Sequence, residues 1–378
     1  MSFKNKLTRV VFFSYFPIVL VFAVVRMLGL FGLLHISNTW GYVINSALQI
    51  LIIFLIPVAG FCIGNKMKPK ESLKFFGYKK TSKKAIFISI LIGFIVYILT
   101  VFISSFWSAL IGTSGASSGG ESQPIPFYVF LINLVVTAIL PAICEETAHR
   151  GLLTKGLSVM GTKKAIILSS ILFGLVHLNV NQVLYATLIG FILSYVALLC
   201  DSIYPAMIVH FTNNALSVIM SYSYTNKLGL DFFFTWINSC LQTNPIIAIL
   251  FVITLMICLV MALRYLIKVL FHHTAMKNLS QLQKQMFIDY TRNGFFSDIP
   301  DIWQSIQDSQ KVADAEQESL YQQAKLTLGQ ATDLEVFIAT NDEKYKIDKV
   351  SLILLSCILF LGVTITFLTW LQIVWGIF

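Results

Sequence analysis

Two adjacent carboxylates, Glu145 and Glu146, stand in an apolar part of the chain that begins near residue 127. A charge at the centre of a bilayer costs at least ~2.5 kcal/mol on insertion scales, so each acid needs a partner or a purpose. Glu146 lies four residues before Arg150 and shares a helix face with it, which allows the two to pair. Glu145 points about 100° away around the helix and has His149 as its four-apart neighbour. We therefore expect Glu146 to support the structure and Glu145 to be free for chemistry.

Two further polar groups lie in the apolar runs that follow. His177 lies four residues after Phe173, and His210 lies four residues before Asn214, on the same helix face. Lipid cannot satisfy such groups, so a helix bundle would bury them together with Glu145. This set can hydrolyse an amide. A carboxylate or a histidine takes a proton from water, another histidine steadies the intermediate or donates to the leaving amine, and an amide N–H binds the oxyanion.

The composition identifies the class of protein that must position these groups. Of the 378 residues, 57% are hydrophobic and 12% are charged, and the mean hydropathy is +0.79. A soluble domain has roughly 25% charged residues, so this is a polytopic membrane protein. The net charge of +9 is concentrated in short loops between apolar runs, which indicates contact with the lipid bilayer and not with nucleic acid. The six cysteines have no paired spacing, so we assign neither disulfides nor a cysteine metal site.

The apolar runs predict an all-α fold, a polytopic transmembrane helix bundle of about nine spans with a polar cytoplasmic helical insertion before the last one. The most basic loop, residues 66–84, is cytoplasmic by the positive-inside rule, which places the N-terminus of this multi-pass cell-membrane protein in the cytoplasm. The predicted organisation comprises N-terminal transmembrane helices in residues 1–111, a membrane core with the polar motifs in 125–222, a transmembrane helix in 245–270, a cytoplasmic polar helical segment in 272–346 and a C-terminal transmembrane helix in 348–378.

Three motifs carry a resemblance to a known family. They read Glu145-Glu146-x-x-x-Arg150, Phe173-x-x-x-His177 and His210-x-x-x-Asn214. In order and spacing they resemble the motif set of the CPBP family of intramembrane proteases, over about residues 125–220. This family comprises the CAAX prenyl endopeptidases and the bacterial bacteriocin-processing and self-immunity proteins, also called the ABI family. His149 departs from the pattern, because the family usually has an aromatic or apolar residue there.

The resemblance implies an endopeptidase whose site lies within the membrane and is reached from the cytoplasmic side. It implies that Glu145 activates the attacking water with His177 beside it, and that His210 and Asn214 orient or stabilise the tetrahedral oxyanion. The expected substrate is a peptide or a membrane protein. A CAAX-type substrate is not required, since many bacterial relatives have no prenylated targets.

The same resemblance leaves the cofactor open. The family is often labelled metalloprotease, although a metal-free glutamate mechanism has also been argued for it. Glu145, His177 and His210 could hold Zn²⁺ with an open position, but the chain has no His-Glu-x-x-His motif. In either mechanism, Glu146 and Arg150 are expected to form a supporting ion pair.

Two other functions use the same residues. The first is a non-catalytic membrane scaffold or bacteriocin self-immunity protein that binds a peptide in the same pocket. The second is a proton-coupled carrier, since chains of glutamate and histidine also relay protons. Loss of cleaved peptides in a Glu145→Gln variant that still accumulates in the membrane favours the protease over both.

Overall fold

The computed structural model describes residues 3–34, 38–113, 123–274 and 347–375. Of the described residues, 87% are helical and none is in a strand, which confirms the all-α helix bundle. The predicted polar segment 272–346 lies outside the described residues from position 275 onward. In chain order the α-helices are α1 (Phe3–Leu30), α2 (Asn38–Ala47), α3 (Ile56–Asn65), α4 (Pro69–Phe75), α5 (Lys83–Leu110), α6 (Phe127–Asn133), α7 (Leu140–Glu146), α8 (Thr162–Val176), α9 (Val180–Leu199), α10 (Tyr204–Thr225), α11 (Phe232–Thr243), α12 (Pro245–Thr274) and α13 (Lys349–Trp375).

Three stretches between these helices are π-helical, with the wider turn that the i→i+5 hydrogen bond produces. They are π1 (Leu48–Leu55), π2 (Leu134–Ile139) and π3 (Thr147–Lys155). A short 3₁₀ turn, Leu157–Met160, follows π3. Single π turns are rare and occur frequently at functional sites. All three π stretches supply residues to the polar site described below.

Seven helices in the described ranges are long and apolar enough to cross a membrane, whereas the apolar runs predict about nine spans. The two that differ are α8, which has only 15 residues, and α10, which has 22. The hydropathy of α10 is reduced by polar residues near its middle, among them His210 and Asn214. The difference therefore arises in the two helices that carry the histidine motifs. The seven segments that meet this length and hydropathy are Lys4–Leu30, Trp40–Asn65, Lys83–Leu110, Phe127–Met160, Val180–Leu199, Pro245–Phe271 and Lys349–Trp375.

Close helix contacts align several chain segments at one end of the bundle. A Cβ atom added to Gly64, at the end of α3, would lie 2.6 Å from a methyl of Val10 in α1. A Cβ atom on Gly156, just after π3, would lie 2.4 Å from a methyl of Val11. Glycine at both positions allows this approach. Arg9 also pairs with Asp348 at 2.7 Å, directly before α13, so four segments meet at this end. That this end is cytoplasmic remains a prediction from the positive-inside rule.

Asp201, in the turn between α9 and α10, joins three segments at the same end of π3. Its carboxylate accepts from Nζ of Lys79 at 2.9 Å and from Nζ of Lys155 at 2.6 Å. Ser202 donates its hydroxyl to the carbonyl of Lys79 at 2.9 Å. These contacts, here called the Asp201 clamp, tie the end of π3 to the start of α10. They therefore set the position of Glu145 and Glu146 relative to His210.

We expect the Asp201→Asn variant to lose stability in a pH-dependent way. Burial alone would raise the pKa of Asp201, but the charges of Lys155 and Lys79 and their hydrogen bonds lower it below its ordinary value. A lowered pKa in the folded state means that the carboxylate stabilises the fold above about pH 4 and that this contribution is lost as the pH falls below that value. We expect a cost of about 1–3 kcal/mol at neutral pH, less than for a fully buried pair, because 29% of the Asp201 side chain is exposed.

The measurement is thermal unfolding of the detergent-purified protein at several pH values. The difference between wild type and Asp201→Asn should shrink as the pH falls below about 4, because the unfolded wild-type chain takes up a proton at Asp201 there, while the folded carboxylate takes it up only at lower pH. Asp231→Asn is the matched control, since Asp231 accepts a side-chain hydrogen bond only from Ser223, at 3.3 Å, among the described residues. A difference that does not change with pH would show that the clamp does not act through charge.

Candidate active site

A buried ion pair forms the inner part of the site. Glu146 and Arg150 have fully buried side chains, and Nη1 of Arg150 lies 3.1 Å from Oε1 of Glu146. The pairing expected from their four-residue spacing is therefore present. The same Oε1 atom accepts a hydrogen bond from Nδ1 of His210 at 2.7 Å. Glu146 thus connects the helix that carries the two acids to α10, a contact that their spacing of 64 residues did not reveal.

Several buried polar atoms of this ion pair have no hydrogen-bond partner in the described part of the chain. They are Oε2 of Glu146 and the guanidinium nitrogens of Arg150. The guanidinium carbon instead lies 4.2 Å from the ring centroid of Phe173, a cation–π contact that partly replaces lost hydration. Buried polar atoms of this kind are where ordered water binds in proteins. The inner part of the site is therefore suited to hold water within an apolar bundle.

Glu145 is half-buried and is held by a residue that the motifs did not include. Nε2 of Gln49 donates to Oε1 of Glu145 at 2.8 Å. Gln49 lies in π1 and is 5% exposed. The bond engages one carboxylate oxygen of Glu145 and leaves Oε2 without a recorded partner in the described residues. The sequence feature that points to this contact is the single amide in the apolar run of residues 47–63. A polar side chain at membrane depth needs a partner.

His177 and His210 each have one nitrogen committed to an acceptor. Nδ1 of His177 lies 2.7 Å from the carbonyl oxygen of Phe173, and Nδ1 of His210 lies 2.7 Å from Glu146. A carbonyl or carboxylate oxygen can only accept, so both Nδ1 atoms carry the proton. In the neutral form of each ring, Nε2 then has a free lone pair. Both histidines could take up a proton at this atom.

His149 has both nitrogens engaged. Its Nδ1 donates to the backbone carbonyl of Glu145 at 2.8 Å, so in the neutral ring Nε2 is an acceptor, and the Tyr15 hydroxyl donates to it over 3.0 Å. His149 is 1% exposed. His149 therefore links α1 to the backbone at Glu145.

Phe173 is the residue around which the site is arranged. Its ring makes edge contacts with three histidine rings, at centroid distances of 4.8 Å for His149, 5.1 Å for His177 and 5.9 Å for His210. With Arg150 over the same ring, Phe173 brings π3, the end of α8 and α10 to one point. Phe173 belongs to the motif Phe173-x-x-x-His177, but its place in the sequence does not predict this central position.

Asn214 lies one turn beyond His210 on α10, at the edge of this cluster. Its Nδ2 donates to the carbonyl of Thr137 in π2 at 3.0 Å. Its Oδ1 accepts from Nδ2 of Asn213 at 2.9 Å. One N–H of the Asn214 amide remains for another acceptor, since a carboxamide carries two donors. The assignment of Asn214 as an oxyanion donor stays a prediction.

Glutamate and histidine side chains are also common ligands of zinc. Within the described ranges, no three His, Cys, Asp or Glu residues lie close enough together to hold a metal ion. Glu145, His177 and His210 therefore do not form a ligand group in this arrangement, although the free Nε2 atoms are chemically suitable. The residues present do not fit a metal site, and no step below is routed through one.

Comparison with known proteins covers the same part of the chain. Residues 127–216 match the family model described as type II CAAX prenyl endopeptidase Rce1-like. The match spans less than half of the chain and includes all three motifs. No curated protein and no solved structure matches the chain. Residues 127–216 are therefore similar to the type II CAAX prenyl endopeptidase Rce1-like family, which confirms over this range the resemblance that the three motifs carry.

Proposed function

We propose that the protein is an intramembrane endopeptidase that hydrolyses peptide bonds with a water molecule activated by Glu145. It is a CAAX-protease-like membrane protein, and the finer activity is our inference from the site. This proposal rests on the surroundings of Glu145. This carboxylate is half-buried, is oriented through one oxygen by Gln49 and keeps the other oxygen for a proton. A buried polar cluster in an apolar bundle needs a purpose of this kind.

The chemistry follows from the groups at hand. Oε2 of Glu145 takes a proton from water, and the water oxygen attacks the carbonyl carbon of the substrate. The carbonyl π electrons move to its oxygen, and the remaining N–H of Asn214 donates to that oxyanion. When the C–N bond breaks, the proton on Glu145 passes to the leaving nitrogen, directly or through Nε2 of His177. Proton transfer by a positioned group contributes roughly 10²–10⁴-fold in rate.

The buried residues Glu146, Arg150 and His210 affect this step through their positions and their charges. Arg150 and Nδ1 of His210 both contact the same oxygen of Glu146, at 3.1 and 2.7 Å, and so fix the position of its carboxylate. The Glu146 carboxylate in turn keeps the proton of His210 on Nδ1, so Nε2 faces away from the acid as an acceptor. Two neighbouring carboxylates thus have different surroundings, and only Glu145 is left without a cationic partner among the described contacts. This difference in surroundings is how acid and base roles are separated in an active site.

The test compares peptides from the membrane and secreted fractions of cells that express the wild type or Glu145→Gln at equal levels. We expect defined peptides to be present with the wild type and to vanish with Glu145→Gln, and the ends of those peptides give the cleavage rule. Glu71→Gln is the matched control, because Glu71 is exposed in α4 and far along the chain from the site. Identical peptide sets together with an unchanged phenotype would favour the scaffold or immunity reading, and proton-dependent uptake without cleavage would favour a carrier.

A further inference from the structure

Exposed lysines form a basic surface around the short helix α4, at the end of the bundle that carries the Asp201 clamp. They are Lys66, Lys68, Lys70, Lys83 and Lys84. The apolar segment before them ends at Asn65, and the one after them begins at Lys83. Residues 66–82 therefore lie where one apolar segment leaves the bilayer and the next enters it, at the depth of the lipid headgroups. We call these five lysines the α4 surface.

The acidic residues at this end of the bundle do not neutralise the α4 surface. Asp201 and Asp348 are each paired with other basic residues of the bundle. Glu71, in α4, accepts a hydrogen bond from the backbone N–H of Lys68 at 3.3 Å. No ion pair with a carboxylate is recorded for the five lysines in the part of the chain that the structure describes. Their positive charge is therefore available to a partner outside this chain.

Anionic phospholipid headgroups are the partner that fits the α4 surface. Lysine presents a compact positive charge on a flexible stem, which suits a phosphate group. Clusters of about four to eight basic residues directly beside a membrane segment bind anionic lipids. Headgroups also surround this depth of the protein at all times, whereas an acidic peptide would have to displace them. The position and the charge of the surface therefore favour lipid over peptide.

Residues 76–79, here called the strap, connect α4 to the elements of the candidate active site. Phe76 packs against Gly151 in π3, where an added Cβ atom would lie 2.7 Å from the Cβ atom of Phe76. Gly77 has a φ of +96°, a conformation that glycine adopts without strain. Its carbonyl accepts from the backbone N–H of Ile203 at 2.8 Å. The strap therefore contacts both π3, which follows the two acids, and the start of α10, which carries His210.

Tyr78, in the strap, bonds to the residue that directly follows the two acids. Its hydroxyl lies 2.6 Å from Oγ1 of Thr147. Thr147 donates its own proton to the carbonyl of Ile143 at 2.6 Å, so Tyr78 is the donor in the bond between the two hydroxyls. Burial raises the pKa of Tyr78 to about 12, and the hydroxyl therefore keeps this proton at neutral pH. The position of the strap thus affects the position of Glu146 and of Glu145 beside it.

We propose that the α4 surface binds anionic phospholipid headgroups and that this binding holds the strap against the helix of the two acids, so that activity depends on anionic lipid. Helix α4 ends at Phe75, directly before the strap. Lysines held at the headgroups therefore fix the chain at the point where the strap begins. The binding of lipid stands by itself, whereas its effect on activity rests on the proposed protease function.

The first experiment measures lipid binding without cleavage, as the melting temperature of the detergent-purified full chain with added phosphatidylglycerol or phosphatidylcholine. A ligand of the folded state raises this temperature, and phosphatidylglycerol should raise it more than the neutral lipid does. Lys68→Gln with Lys70→Gln should require about 30-fold more phosphatidylglycerol for the same rise, roughly fivefold for each lysine. The matched control is Lys6→Gln with Lys164→Gln, which removes the same charge from exposed lysines of α1 and α8 and should respond as the wild type does. Equal rises with both lipids, an unchanged response of the α4 variant, or a rise with polyglutamate in place of phosphatidylglycerol would overturn the proposal.

The second experiment measures kcat in vesicles, on the peptide that the Glu145→Gln comparison identifies. Wild-type kcat should be higher by about fivefold or more in phosphatidylcholine vesicles that contain phosphatidylglycerol than in phosphatidylcholine alone. Tyr78→Phe should keep the melting response to phosphatidylglycerol and lose this rise in kcat, whereas Tyr128→Phe, at an exposed tyrosine of α6, should keep both. Equal kcat in the two vesicles, or a full rise in Tyr78→Phe, would overturn the coupling of lipid to the site. Should Glu145→Gln leave every peptide in place, the protease function fails, and the melting temperatures still decide whether the α4 surface binds lipid.

Discussion

The Glu146→Gln variant is expected to lose most of its folded population under conditions where the wild type is stable. The side chains of Glu146 and Arg150 are fully buried, and His210 bonds to the same carboxylate oxygen. Removing the negative charge leaves the guanidinium buried without its counter-charge. Breaking one partner of a buried pair typically costs about 3–5 kcal/mol, a large part of the ~5–15 kcal/mol that stabilises a typical protein.

The measurement for Glu146→Gln is the membrane level of the protein, its size-exclusion profile in detergent and its melting temperature. Glu145→Gln is the control on the adjacent residue, because Glu145 is half-buried and its carboxylate bonds only to Gln49 among the described side chains. Combining Glu146→Gln with Arg150→Met should recover part of the loss, since a fully apolar or neutral replacement removes the unpaired charge as well. A Glu146→Gln protein with an unchanged melting temperature would contradict a structural role for this ion pair.

The His177→Gln variant is expected to fold normally and to lose activity. The recorded contacts of the His177 side chain in the described residues are with the carbonyl and the ring of Phe173, so little packing is lost. The variant does lose the Nε2 lone pair of the imidazole, which the proposed mechanism uses for proton transfer. Loss of a positioned proton-transfer group typically lowers the rate by about 10²–10⁴-fold. The measurement is kcat/KM of detergent-purified protein on the peptide that the Glu145→Gln comparison identifies, beside its melting temperature.

The control for His177→Gln is His149→Gln, for which we expect the reverse result: a loss of stability without a loss of activity. The ring of His149 contacts the same Phe173 at 4.8 Å, but both nitrogens are bonded, to Tyr15 and to the backbone of Glu145. We expect this variant to lose about 1–3 kcal/mol of stability, the cost of leaving buried partners unsatisfied, and to keep its activity per folded molecule. A His177→Gln protein as active as the wild type would show that Glu145 returns the proton without help.

Local backbone geometry explains the part of the site that the sequence predicted. The Glu146–Arg150 pair follows from the helix repeat, since residues four apart share a face. The all-α bundle follows from the length of the apolar runs, and the family resemblance was confirmed over residues 127–216. The catalytic roles, the domain boundaries, the N-terminal orientation and the peptide or membrane-protein partner stay predictions. The polar segment predicted at 272–346 lies outside the described residues from 275 onward.

Tertiary structure decided which polar groups meet. His210 bonds to Glu146 across 64 residues of chain, Gln49 to Glu145 across 96, and Tyr15 to His149 across 134. Helical periodicity carries no information about such pairs, because each depends on how separate helices pack. The same packing sets Phe173 among three histidines and keeps Glu145, His177 and His210 from forming a metal-ligand group. The sequence alone thus determined which residues can do chemistry, and the packing of the helices decided which of them are held in place and which remain free to act.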